Sequence, residues 1–102
     1  MRVIKKSTLR SYWRKHPDAR EPLQQWLQIT LAADWQSIQD ARRDFPHADA
    51  AIVASGHTVT IFNIGGNKYR LVVAIKYRFG TVYIRDFVTH AEYGSERWKQ
   101  RH

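Results

Sequence analysis

HTVTIFNIGGNKYRLVVAIKYRFGTVYIRDFV, residues 57–88, is the stretch that decides the fold of this chain. Its apolar and β-branched side chains recur at a period of two, which is typical of β-strands rather than helices. Two breaks, at Gly65-Gly66-Asn67 and Phe79-Gly80, have the composition of tight turns. We therefore predict an antiparallel meander of three strands, over His57–Ile64, Tyr69–Arg78 and Thr81–Val88.

The residues before this meander follow a helical pattern. Leu9, Tyr12 and Trp13 lie at positions i, i+3 and i+4, which predicts a first helix capped by Ser7 or Thr8 and stopped by Pro17. A second helix is predicted from about Arg20, with its apolar side chains again at helical spacing, and a shorter third helix is predicted over about 37–44. Arg2–Ile4 could add a short first strand.

Helices followed by adjacent strands indicate an α+β fold. We predict two N-terminal helices packed on one face of a small, mostly antiparallel sheet, and a short C-terminal helix over about 90–100. The chain of 102 residues is 43% hydrophobic, which suits one domain spanning residues 1–102.

Composition excludes several classes of protein. The chain has no cysteine, which rules out disulfide scaffolds, Cys-zinc sites and thiol nucleophiles. No apolar run approaches the roughly 20 residues of a membrane span, and the N-terminus has no secretory signal, so a cytoplasmic location is expected. The formal net charge of +8 favours a polyanionic partner, nucleic acid first.

The middle predicted strand carries the charge pattern of most interest. Its odd-numbered residues, from Tyr69 to Tyr77, point to one face and must meet the helices. The even-numbered set on the other face is small at Val72 and Ala74 and cationic at both ends, which predicts a shallow groove with basic walls. On the third strand, period two groups Thr81, Tyr83, Arg85 and Phe87 on one face and Val82, Ile84, Asp86 and Val88 on the other, but which set joins the groove depends on register.

Titratable side chains follow the third strand directly. His90 is the one among them that exchanges a proton near neutral pH without a shift, and Tyr93 lies one helical turn further on. Strand ends and the loops after them often hold functional residues. A histidine in this position is also a common surface residue, so the pattern alone does not assign it a role.

The HigB family of bacterial toxins is resembled by two segments, Phe62-Asn63-Ile64-Gly65-Gly66-Asn67-Lys68-Tyr69-Arg70-Leu71-Val72 and Val88-Thr89-His90-Ala91-Glu92-Tyr93, with Tyr83-Ile84-Arg85 between them. The resemblance covers nearly the whole chain. Its specific parts are the Gly-Gly-Asn-x-x-Arg turn and the Thr-His-x-Glu-Tyr segment. One departure is Gly94, where the family is expected to have an acidic residue.

This resemblance implies a RelE/ParE-like fold and a toxin of a type II toxin-antitoxin system. It implies ribosome-dependent cleavage of messenger RNA, neutralisation by a HigA-type antitoxin with a helix-turn-helix domain, and contact with operator DNA only through the antitoxin complex. No membrane partner and no cofactor are expected. The 2′-hydroxyl of RNA supplies the nucleophile, so the reaction needs a base, an acid and cations rather than a metal ion.

The candidate site residues follow from this chemistry. Arg70 is the candidate for gripping the phosphorane, because the resemblance places it at the matching strand position and a guanidinium binds phosphate oxygens bidentately. His90 is the candidate acid or base, and Tyr93 could share proton transfer or stack on a base. Lys76 and Arg85 are second candidates for charge stabilisation. Backbone contacts to RNA are predicted for Lys68, Arg78, Arg97, Lys99 and Arg101.

Three alternatives stay open at this point. A ParE-like member of the same fold would bind DNA gyrase without hydrolysis. A non-enzymatic nucleic-acid-binding module could stack bases on strand tyrosines, although Tyr69 and Tyr77 are predicted on the helix-covered face. The Gly65-Gly66 pair could cradle phosphate, but no P-loop Lys-Ser/Thr follows it, so a hairpin turn is the better interpretation.

Overall fold

A computed structural model describes all 102 residues and shows the predicted α+β fold. Five strands form one sheet in the order β1-β5-β4-β3-β2, and every neighbouring pair is antiparallel except β1 with β5. The strands are β1 Arg2–Ile4, β2 Asp49–Ile52, β3 Thr58–Ile64, β4 Tyr69–Lys76 and β5 Thr81–Thr89. The helices are α1 Lys6–Lys15, α2 Arg20–Ala32, α3 Ile38–Asp44 and α4 His90–Ser95.

The N-terminal helices pack on one face of the sheet, as predicted. Leu9 of α1 and Leu23 and Trp26 of α2 belong to a buried core cluster with Leu71 and Val73 of β4. The odd-numbered side chains of β4 therefore meet the helices. This apolar layer supplies most of the hydrophobic stabilisation, because its side chains are almost completely removed from water.

The predicted cap of α1 is wrong. The helix begins at Lys6, so Ser7 and Thr8 lie inside its first turn, and no side chain caps it. Lys5 adopts a left-handed conformation with a φ of 68°. The chain leaves β1 at Ile4 and must reverse at once into the helix layer, which requires this sharp turn more than it requires a capping hydroxyl group.

Strand β2 was not predicted from the sequence. Asp49, Ala50 and Ala51 have low intrinsic β propensity. They form a strand because Asp49–Ile52 pairs with Ile61–Thr58 of β3 along the edge of the sheet. The backbone hydrogen bonds with β3 therefore outweigh the low β propensity of these residues.

A β-bulge in β5 changes which side chains share a face. Val72 pairs with Asp86 and Val73 pairs with Ile84, so Arg85 has no partner on β4. The extra residue shifts the alternation by one position. Phe87 consequently lies with Val82 and Ile84 on the helix face, while Asp86 and Val88 join Thr81 and Tyr83 on the opposite face, which corrects the strict alternation expected for this strand.

The opposite face of the sheet has a second core, and the predicted groove floor is partly wrong because of it. Helix α4 ends at Ser95, and a 3-10 turn over Arg97–Arg101 runs back across the sheet. Trp98 of that turn is 1% exposed and packs with Val72, which is fully buried. Apolar burial of the indole ring holds the C-terminal segment on the sheet. Of the two residues predicted to form the groove floor, Val72 is covered by Trp98 and only Ala74 borders an open hollow.

Candidate functional site

The face of the sheet away from α1 and α2 carries two polar regions, one at each end of β4. Arg70 lies at the start of β4 and Lys76 at its end. The two residues are six positions apart on an extended strand, which corresponds to about 20 Å. The C-terminal segment with Trp98 lies between the two regions. The predicted catalytic residues are therefore divided between them.

The region at the end of β4 is a hollow of about 560 Å³. Three cationic side chains line it: Lys76 from β4, Arg85 from the bulge of β5, and Arg101 from the C-terminal turn. No aspartate or glutamate is among its lining residues. Arg85 follows Ile84 of the helix face and lies on the opposite face, and the bulge brings Asp86 to that same face. This excess of positive charge makes the hollow suited to an anion such as a phosphodiester.

Asp86 holds Arg101 and His102, the two C-terminal residues that line the hollow. Its Oδ2 accepts hydrogen bonds from Nη2 of Arg101 at 2.7 Å and from Nε2 of His102 at 2.9 Å, and its Oδ1 accepts one from the backbone N–H of Phe87 at 2.9 Å. Partial burial raises the pKa of the Asp86 carboxyl group, but hydrogen bonds from His102, Arg101 and the Phe87 backbone outweigh burial and lower it below its ordinary 3.8. Asp86 is therefore a carboxylate at neutral pH.

A second imidazole lines the hollow from the opposite side. His57 lies in the turn between β2 and β3, and its Nδ1 is 2.9 Å from the hydroxyl oxygen of Ser55. Both side chains are exposed and border the hollow. The turn itself is closed by the backbone, because the N–H of Val53 donates to the carbonyl of His57 at 3.0 Å.

The region at the start of β4 contains Arg70 and Tyr93 in contact. Arg70 is 8% exposed. Its Nη1 donates to the carbonyl oxygens of Asn67 at 3.0 Å and Tyr69 at 3.2 Å. The guanidinium carbon lies 5.2 Å from the centre of the Tyr93 ring, which also stacks on Trp98 with ring centres 5.6 Å apart. Arg70 thus lies beneath α4 on the side of the sheet away from α1 and α2, and it braces both the β3–β4 turn and Tyr93.

His90 is exposed and begins α4, whose N-terminus is closed by a capping box between Thr89 and Glu92. The backbone N–H of His90 donates to the carbonyl of Lys68 at 3.0 Å, which ties the start of α4 to the β3–β4 turn. This bond places His90 at the same end of β4 as Arg70. His90 does not line the hollow.

The predicted RNA-binding cations have different surroundings. Lys68 forms an ion pair with Asp18, which also accepts a hydrogen bond from the Tyr69 hydroxyl group. Lys99 pairs with Glu96 at 3.1 Å. Arg78 and Arg97 are exposed and form no salt bridge, and the guanidinium carbon of Arg78 lies 5.8 Å from the centre of the Phe79 ring. Of the five, only Arg101 lines the hollow.

Sequence patterns did not indicate His57, Asp86 or His102 as site residues. The one signal in the sequence was the adjacent pair Arg85-Asp86, which interrupts the alternation of apolar residues in β5 and marks the bulge. Nothing local indicates that residues 57 and 102 lie beside the same hollow. No group of three or more His, Cys, Asp or Glu side chains is arranged to hold a metal ion, and no helix is long and apolar enough to cross a membrane.

The sequence of this chain matches a known protein family. A search of curated proteins gives no match. The HigB toxin family, described as the RelE-like toxic component of a toxin-antitoxin system, matches residues 19–96, which include all strands except β1 and three of the four helices. Membership of that family implies an antitoxin partner. The chain therefore belongs to the HigB toxin family and is a RelE-like toxic component of a toxin-antitoxin system.

Proposed function

We propose that this toxin is a metal-independent endoribonuclease that cleaves messenger RNA on the ribosome and thereby inhibits translation. Its partner in this proposal is a HigA-type antitoxin with a helix-turn-helix domain, and the toxin reaches operator DNA only through that complex. Family membership supports a toxic activity, and the charge of the hollow supports RNA as the target. In this proposal the toxin and its antitoxin are located in the cytoplasm.

The observation that carries the proposal is the convergence of Lys76, Arg85 and Arg101 on one hollow without an acidic lining residue. Attack of a 2′-hydroxyl group on phosphorus places extra negative charge on the non-bridging oxygens. Fixed cations stabilise that charge most when they are already in place before the reaction. Arg101 is held in place by Asp86. Lys76 and Arg85 have no carboxylate partner and can both turn to a phosphate.

The proposal gives the region of Arg70, Tyr93 and His90 a different part in RNA binding. Arg70 already donates to two carbonyl groups and supports the Tyr93 ring. We assign it to holding Tyr93 and the β3–β4 turn, with its remaining N–H groups available for a phosphate of the same RNA strand. The Tyr93 hydroxyl group and the exposed His90 ring then contact a nucleotide next to the cleavage site. Three exposed cations, Lys68, Arg78 and Arg97, and the half-buried Lys99 contribute attraction to the RNA backbone without sequence preference.

Purified protein incubated with translating ribosomes and end-labelled messenger RNA tests the activity. The expected products carry a 5′-hydroxyl group on one fragment and a cyclic phosphate or 3′-phosphate on the other. Addition of EDTA at a concentration that leaves the ribosomes intact should not reduce cleavage by the pre-bound toxin. Intact messenger RNA combined with inhibition of DNA gyrase supercoiling would refute the nuclease and favour the ParE-like alternative.

Variants locate the site. Arg85→Ala should lower cleavage about 10²-fold or more, which is the usual effect of removing one preorganised donor to a transition state. Arg85→Lys should restore part of it, because the charge remains while the bidentate geometry is lost. Arg43→Ala is the matched control, since Arg43 is exposed on α3 and pairs with Asp40, away from the hollow. Equal toxicity of Arg85→Ala and wild type, with both folded, would place the scissile phosphate elsewhere.

A further inference from the structure

We propose that His57 and His102 form the proton-transfer pair of the hollow, with Asp86 as the positioning residue of His102. This inference rests on the proposed endoribonuclease activity. It moves the acid and base roles away from His90, which does not border the hollow. The placement of both imidazoles beside the same three cations is the observation from which it starts.

The two rings come to the hollow from distant parts of the chain. His57 is in the β2–β3 turn and His102 follows the C-terminal 3-10 turn. The C-terminal segment is held against that turn by a hydrogen bond of 3.0 Å from the backbone N–H of Ala54 to the carbonyl of Lys99. Burial of Trp98 among Val53, Val59 and other residues of the second core strengthens the same contact. The relative position of the two histidines is thus set by packing.

Each ring has one nitrogen engaged and one free. Nε2 of His102 is bound to the Asp86 carboxylate at 2.9 Å, which leaves its Nδ1. Nδ1 of His57 is bound to the Ser55 hydroxyl group at 2.9 Å, which leaves its Nε2. A carboxylate or hydroxyl partner on one nitrogen fixes the ring orientation and the tautomer that the other nitrogen presents. The engaged carboxylate complements an imidazolium form of His102, whereas the neutral hydroxyl complements an imidazole form of His57.

These forms match the two proton transfers of RNA cleavage. His57 accepts the proton of the 2′-hydroxyl group as its oxygen attacks phosphorus. The bond from phosphorus to the 5′-oxygen breaks, and His102 donates its proton to that oxygen. The products are a 2′,3′-cyclic phosphate and a 5′-hydroxyl group, and no metal or redox partner is consumed. Lys76, Arg85 and Arg101 balance the additional charge on the phosphorane.

The groups that face these rings determine the pH dependence. They are the cations Lys76 on β4, Arg85 on β5 and Arg101 on the C-terminal turn, together with the carboxylate of Asp86. Imidazoles in general titrate between about pH 5 and 8. A bell-shaped rate profile in that interval is therefore expected from the two histidines.

Single-turnover cleavage of ribosome-bound messenger RNA measures the roles. His57→Ala and His102→Ala should each lower the rate about 10²- to 10⁴-fold, as removal of a general acid or base does. His57→Ala should lose the limb of the profile that rises at low pH, and His102→Ala the limb that falls at high pH. His47→Ala is the matched control, because His47 is exposed in the loop after α3 and does not border the hollow.

Substitution of the leaving group separates the acid from a structural role. Messenger RNA with sulfur in place of the 5′-bridging oxygen at the cleavage site releases a thiolate, which needs no proton. With this substrate, His102→Ala should cleave at nearly the wild-type rate, while His57→Ala should stay slow. Asp86→Asn keeps a hydrogen-bond acceptor for Nε2 and should retain more activity than Asp86→Ala, with a displaced alkaline limb. His102→Gln, which can still donate to Asp86, covers the case in which His102→Ala does not fold.

The outcomes distinguish this inference from the function on which it rests. Wild-type protein that never cleaves RNA would overturn the proposed function. Wild-type protein that cleaves, with folded His57→Ala and His102→Ala variants that cleave at the same rate and with the same pH profile, would overturn only the histidine assignment. Loss of activity in His102→Gln that the sulfur substrate does not restore would also overturn the role of His102 as the acid.

Discussion

Replacement of Trp98 by alanine should destabilise the protein by about 3–5 kcal/mol, the usual cost of truncating a buried tryptophan. Its indole is 1% exposed and packs in the second core with Val72 and Val88. Its Nε1 also donates to the carbonyl of Tyr93 at 3.2 Å, and loss of such a bond accounts for about 1 kcal/mol of that sum. Since domains of this size have about 5–15 kcal/mol of stability, the variant should be folded but marginal.

Urea unfolding followed by far-UV circular dichroism measures this change, and the melting temperature should fall by more than about 10 °C. Trp98→Phe keeps an aromatic ring on Tyr93 and loses the N–H donor, so it should lose only about 1–2 kcal/mol. Phe79→Ala is the matched control, because Phe79 is 74% exposed and its truncation should change stability by less than about 0.5 kcal/mol.

The reasoning would be refuted by a Trp98→Ala variant that unfolds within about 1 kcal/mol of wild type and with the same cooperativity. Such a result would mean that residues 97–102 are a loosely attached tail and that the sheet is covered on one face only. Arg101 and His102 would then have no fixed position beside the hollow. The stability of this one side chain therefore tests the geometry on which the candidate site depends.

Three further predictions concern pH and backbone conformation. Burial, and to a smaller extent the Asp86 carboxylate, raises the pKa of Tyr12 from 10.0 to about 12. The stabilising contribution of Tyr12 to the folded state is therefore fully present below pH 10 and is lost as the pH rises through 12. Tyr12→Phe should flatten that alkaline loss in urea midpoints measured against pH. Hydrogen bonds from Lys68 and Tyr69 lower the pKa of Asp18 below 3.8, so its stabilising contribution is present above that pH and is lost in more acidic solution; Asp18→Asn should make acid unfolding titrations less steep. Gly66 has a φ of 69°, and a methyl group added to its Cα would meet no atom within 4 Å. Gly66→Ala should therefore cost about 1 kcal/mol in urea unfolding through backbone strain alone, and Gly66→Asn should cost less.

Much of the fold could be predicted because its signals are local. The period of two in residues 57–88 and the glycine breaks indicated the three long strands, and the helical spacing of Leu9, Tyr12 and Trp13 indicated the first helix. Both patterns reflect which side of an element meets the core, and each is complete within about ten residues. Strand β2 could not be predicted in this way, because its pairing partner rather than its composition makes it a strand.

The candidate site was predictable only in part. Lys76 and Arg85 were selected from the sequence because a cationic sheet face suits RNA, and both line the hollow. Arg70 was selected from the resemblance, and the structure shows its guanidinium group beneath Tyr93 with two carbonyl partners. Exposure of a strand residue depends on what packs above it. The position of Trp98 over Val72 is therefore what separates Arg70 from the hollow.

The sequence by itself determined the α+β class, the meander, the basic character and the family resemblance, since these follow from periodicity, composition and short motifs. Tertiary structure alone decided that a bulge brings Asp86 to the same face as Arg85, that Asp86 holds Arg101 and His102, and that His57 lines the same hollow. The physical reason is that strand register and the docking of the C-terminal segment depend on packing between residues far apart in the chain, which no local pattern records.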